Sequence, residues 1–154
     1  MKAKLILLTL GIFFLSAVVC SAQSPHMGTW KLNEAKSHFA KGASKNNTVV
    51  YEAAGDQIKV TVDGMDGSGA ATHNEWTGKF NGKNYAITGS PTGDMRSYTR
   101  VNSRTLKFRE RKNAKVVLTG IISVSRNGKS RTVTTTAKDS KGKWVTNTAV
   151  FDKQ

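Results

Sequence analysis

Arg96, Tyr98 and Arg100 alternate along one short run of the chain. At a spacing of two they share one face of a β-strand. Two guanidinium forks flanking a phenol suit a carboxylate or phosphate held bidentately. If that face looks inward, the protein has an anion site. The opposite face carries Met95, Ser97, Thr99 and Val101. Those residues serve equally well as a core face, which would leave the arginines in solvent. Lys107, Arg109 and Arg111 follow on the next run, where Leu106 and Phe108 claim the core, so the three cations are expected in solvent. Paired side by side, the two runs would lay a basic stripe on one wall.

Other residues invite chemistry less directly. Trp76 joins Arg96, Tyr98 and Arg100 as a candidate ligand-contacting residue. Trp144, Tyr51, Tyr85 and Phe108 read as core or cavity-lining aromatics. His73 and Glu75 share a strand face opposite Trp76 and could donate two metal ligands. No third ligand lies at a telling distance, so a solvated pair is expected; His26 and His38 stand apart. Gly128-Lys129-Ser130 ends like a phosphate loop, but Ser123 stands where the leading glycine belongs. Gly67-Ser68-Gly69 lacks a third glycine at Thr72, and Asp63 and Asp66 do not match a calcium loop. Asn46-Asn47-Thr48 is a glycosylation sequon, relevant to a eukaryotic secretory route. No catalytic constellation, metal site or cofactor motif emerges, and a non-enzymatic protein is expected.

The elements that would position these residues are short strands. Hydrophobicity alternates at period 2: Ile58, Val60 and Val62 against Lys59, Thr61 and Asp63; Arg131, Val133 and Ala137 against Thr132, Thr134 and Thr136. Gly55-Asp56, Asn81-Gly82, Asn127-Gly128, Pro91 to Asp94, Asn102-Ser103, Asn113 and Ser140 to Gly142 punctuate the runs. Asn-Gly in particular suits the positive φ of a tight hairpin. Ten strands are expected, at about 27–33, 47–53, 57–63, 70–80, 83–89, 94–101, 104–112, 115–125, 129–138 and 143–152. Only Glu34 to Lys41 looks helical. Hairpins in sequence without long crossovers predict an all-β, up-and-down antiparallel β-barrel of about eight to ten strands with at most one short helix. A two-sheet sandwich is the alternative.

Residues 1–22 read as a cleavable secretory signal: Lys2 and Lys4, an apolar run from Leu5 to Val19, then Cys20-Ser21-Ala22. That run is about 15 residues, short of the ~20 that span a bilayer. Residues 23–154 would form one domain, secreted or periplasmic, without the chain's single cysteine. The formal charge of +14 loses Lys2 and Lys4 and becomes +12. Such a chain favours acidic partners: an acidic ligand, anionic lipid or an envelope polymer. The absence of a clustered basic and aromatic strip argues against nucleic acid. A monomer is expected.

Gly28-Thr29-Trp30-Lys31-Leu32-Asn33 opens the first strand. Gly-x-Trp in that position, ahead of a meander of this length, resembles the calycin superfamily of lipocalins and fatty-acid-binding proteins. With the ending Ala149-Val150-Phe151-Asp152-Lys153-Gln154, it resembles small exported bacterial lipocalin-like proteins. The resemblance implies that Trp30 is a structural plug at one end of the barrel, under a basic side chain, Arg131 or Lys143. Two departures stand out. The gap from Asn33 to Asn47 is too short for the helical pair of the fatty-acid-binding proteins, and the last strand lacks their Arg-x-Tyr. The expected function is binding of a small hydrophobic or amphipathic, anionic ligand. The alternative is a basic surface module for anionic lipid, polysaccharide or another envelope component.

Overall fold

The computed structural model describes residues 24–139 and 141–154. The expected signal, 1–22, lies outside them. Ten strands follow one another: β1 (Gly28–His38), β2 (Lys45–Ala54), β3 (Gln57–Met65), β4 (Ala71–Gly78), β5 (Tyr85–Thr88), β6 (Met95–Asn102), β7 (Thr105–Lys112), β8 (Lys115–Val124), β9 (Ser130–Lys138) and β10 (Trp144–Lys153). Each pairs antiparallel with its sequence neighbours, and β1 also pairs with β10, so the sheet closes into an up-and-down barrel. Trp30 marks the seam, opposite Val49 on β2 and Lys153 on β10. Closure leaves no open edge and excludes the sandwich.

Alternation decides what fills the inside. Val49 and Tyr51 on β2, Val60 and Val62 on β3, Leu106 and Phe108 on β7, and Ile122 and Val124 on β8 are buried inward. Their odd-and-even neighbours face water. Gly55, Gly82 and Gly128 take positive φ in the hairpin turns at one end of the barrel, as their turn signals require.

The helix expected from Glu34 to Lys41 does not form. β1 runs on to His38 through an irregularity between Asn33 and His38, where the register against β10 shifts. Ser37 Oγ donates to the Asn33 carbonyl at 2.7 Å, and the Lys36 N–H donates to Asn33 Oδ1 at 3.2 Å. These contacts span four and three residues, the span of a helical turn, but the backbone stays in the β1 strand. The Val150 N–H donates to Ser37 Oγ at 2.9 Å, so the hydroxyl substitutes for a ladder acceptor.

The barrel has two unlike ends. At one end an aromatic floor packs Trp76 against Tyr98 (ring centroids 4.7 Å apart), Tyr85 (5.7 Å) and Phe80 (6.3 Å). Trp76 Nε1 donates to the Arg96 carbonyl at 3.0 Å. At the other end lie the 39–44 and 89–94 connections.

Candidate functional site

Above the aromatic floor the barrel is hollow. A cavity of about 520 Å³ runs from Tyr51, Tyr98, Arg131 and Phe151 to a mouth formed by Phe39, Lys41, Pro91 and Lys138. Its walls include Val62, Phe108, Leu118, Ile122, Val133 and Ala149. The volume falls within the range of about 300–1,000 Å³ typical of small-ligand sites.

The cavity holds two arginines in opposite electrostatic situations. Arg96, on β6, is already neutralised. Its Nη2 and Nε donate to Glu110 Oε2 at 2.5 and 3.1 Å, and Nη1 reaches the Tyr98 hydroxyl at 3.5 Å. Glu110 is fully buried, and its other oxygen accepts from Ser90 Oγ at 2.5 Å and from Thr92 Oγ1. Burial alone would raise the Glu110 carboxyl. Arg96 and the two hydroxyls outweigh it and hold the carboxyl below its usual range. Burial likewise opposes the Arg96 charge, but Tyr98 and Glu110 raise it overall.

Arg131, on β9, has no such partner. It is 2 % exposed, and its Nε and Nη1 have no hydrogen-bond acceptor among the described residues. Its guanidinium carbon lies 4.8 Å from the Phe151 ring, 4.9 Å from Trp30 and 5.0 Å from Tyr51, in cation–π range of all three. Burial lowers its pKa, and the phenols of Tyr51 and Tyr98 oppose that drop. Burial also raises the Tyr98 phenol, as does Tyr51, so Tyr98 stays protonated and able to donate.

The four residues expected to contact ligand are therefore dispersed. Arg96 and Tyr98 face the cavity. Arg100 shares their strand but lies beyond the floor, exposed, with its guanidinium carbon 6.0 Å from the Phe80 ring. Trp76 belongs to the floor rather than the cavity wall. Trp30 is wholly buried, and its Nε1 donates to the His26 carbonyl at 2.9 Å. Of the two cations implied as its cover, the structure puts Arg131 over the ring; Lys143 is exposed. Lys153 adds a second cation 5.3 Å from the same ring. Trp144, expected inside, is 54 % exposed beside Lys138 because β10 turns its indole outward at the rim. His73 lies on the solvent face, 2.7 Å from Asp63 and 3.8 Å from Glu75.

Sequence reasoning passed over Glu110 and named Arg131 only as a cover for Trp30, though its own periodicity turns both inward. Leu106 and Phe108 alternate into the core, and the next inward step is Glu110. Arg131 shares the apolar face of Val133 and Ala137. A third residue, His26, gave no signal. It is 1 % exposed beneath the floor, edge-on to Phe80 at 6.2 Å, with neither ring nitrogen partnered among the described residues. Burial, then the nearby Arg131, Arg100 and Lys153 charges, lowers its pKa to about 4.

A closed ten-strand antiparallel barrel is consistent with the calycin or lipocalin-like architecture. No protein-family model matches the chain, and no curated protein sequence does either.

Proposed function

We propose that this protein is an exported, lipocalin-like carrier of one small amphipathic acid. The observation that carries the reading is Arg131: a buried guanidinium with no carboxylate partner, whose Nε and Nη1 lack an acceptor, at the deep end of a hollow cavity. An unpaired buried charge is costly, and an entering anion would relieve that cost. The acid head would lie against Arg131, with the Tyr51 and Tyr98 hydroxyls as further donors. The tail would extend along Val133, Ile122 and Phe108 toward the mouth. Arg96 is a poorer anchor than its sequence position suggests, because Glu110 already neutralises it. Glu110 in turn is held too acidic to make a good general base near neutral pH, which favours a carrier over an enzyme.

Calorimetric titration with a long-chain carboxylic acid and its methyl ester tests this. Arg131→Met should weaken the acid by about 30-fold or more, the order expected when a buried charge pair loses one member. The ester should change by less than about threefold, since only apolar contact is at stake. Arg100→Met, outside the cavity, should leave both unchanged. Equal losses for acid and ester in Arg131→Met would remove the anion anchor from the account.

A further inference from the structure

The net positive charge of this protein is concentrated on one wall. Between residues 24 and 94, seven lysines are matched by seven acids; between 95 and 138, twelve lysines and arginines accompany one acid, Glu110. Glu110 points inward and is spent on Arg96, and Arg131 is also internal. That leaves ten cations on β6–β9 and their turns, nine of them outside the cavity and Lys138 at its mouth, with no acid among them. The opposite wall neutralises itself on its surface through Lys59–Glu75 at 2.6 Å, Lys45–Glu34 at 3.0 Å and Lys79–Asp56. Lys107 and Arg109 have no ion pair among the described residues. Lone solvated cations are common; a sheet face that excludes acids while its counterpart pairs them is a directed field.

The same wall carries a groove. A second cavity of about 520 Å³, distinct from the interior, crosses the outer face of β6 to β9. Four strands at about 4.8 Å spacing make it roughly 14 Å across. Lys107 and Arg109 stand about 6.6 Å apart along β7, two rises of a strand. Hydroxyls line much of the rest: Thr99, Thr119, Thr134 and Thr136, with Ser97 buried beneath them.

We infer that this groove binds a strand of acidic polysaccharide. The cations would meet its acidic groups, and the row of hydroxyls would exchange hydrogen bonds with sugar hydroxyls. The lining selects against the two other polyanions. Single-stranded nucleic acid needs exposed aromatic faces for base stacking, and the groove's one aromatic, Phe108, is buried. A lipid surface needs apolar side chains that insert, and the lining offers only Ile121 as an exposed large apolar residue. The site is separate from the interior cavity, so either can fail without the other.

Fluorescence anisotropy on the folded protein tests the assignment, with labelled oligogalacturonate and a sulfated dextran oligomer as probes. A neutral malto-oligosaccharide, single-stranded oligo-dT and phosphatidylglycerol vesicles serve as competitors. At least one acidic glycan should bind, more weakly as salt rises from about 50 to 200 mM. Lys107→Gln with Arg109→Gln should weaken it by about tenfold, while the charge-preserving exchange Lys107→Arg with Arg109→Lys should retain most of the affinity. Lys31→Gln with Lys36→Gln removes the same charge from the opposite wall and should change binding by less than about twofold. Equal losses in the two Gln pairs would reduce the effect to net charge and overturn the site. Failure of both glycans to bind, or tighter binding of oligo-dT or vesicles, would overturn the partner class.

Discussion

Replacing Glu110 with alanine will destabilise the protein by about 3–5 kcal/mol, the range for breaking a buried ion pair from one side. The loss reaches beyond one contact. Glu110 accepts from Arg96, Ser90 and Thr92, so alanine strands a guanidinium and two hydroxyls together. The carboxylate also ties the 90–92 connection to β6 and β7, and β5 beside it is the weakest seam of the barrel. That strand is four residues long, with two aligned pairs to β4 and two to β6. Removing both charges is a different experiment. Arg96→Met with Glu110→Leu leaves no orphaned ion, and its cost should stay under about 2 kcal/mol. Urea denaturation of wild type, single and double variants measures all three. A Glu110→Ala variant within about 1 kcal/mol of wild type would mean that water reaches Arg96 and that the pair is not truly enclosed.

Acidification will destabilise the protein well above the ordinary carboxylate range. His26 titrates near 4 in the folded protein, against 6.5 as its ordinary value. Between those values the unfolded chain binds a proton that the folded one refuses, so stability rises with pH across the window. The contribution is fully present above about pH 6.5 and falls away on acidification, by roughly 3 kcal/mol at about pH 4. Glu110 acts in the same direction at lower pH: its carboxyl is depressed in the fold, and its stabilisation disappears as the pair is protonated. His26→Phe keeps an aromatic ring against Phe80 and removes the titration. Urea midpoints at pH 7.0, about 5.5 and about 4.5 should therefore converge for the variant and spread for wild type. Parallel profiles would place His26 in contact with water.

Much of the barrel was legible because each strand carries its own evidence. Val60 and Val62 against Lys59, Thr61 and Asp63 set both the strand and its inner face, and the Asn-Gly pairs set the hairpins. Ser37 shows where local reading fails. Its side chain makes a helix-like contact with Asn33 while satisfying Val150, more than one hundred residues away, and only the second contact reveals a strand. The site was harder to read, because period 2 gives a side but no depth. Arg96, Tyr98 and Arg100 share a face, yet the aromatic floor separates Arg100 from the others. Nor does periodicity give partners. Arg96 and Arg131 look alike as inward arginines, and only the fold shows that Glu110 reaches one while no carboxylate among the described residues pairs with the other.

The interior should receive an acid that Arg131 holds. Native mass spectrometry of the protein from a lipid-rich host, followed by organic extraction, tests it most directly. A one-to-one adduct is expected, released as a free acid and lost from Arg131→Met. A mass equal to the bare chain, unchanged by a panel of fatty acids and acidic lipids, would contradict it.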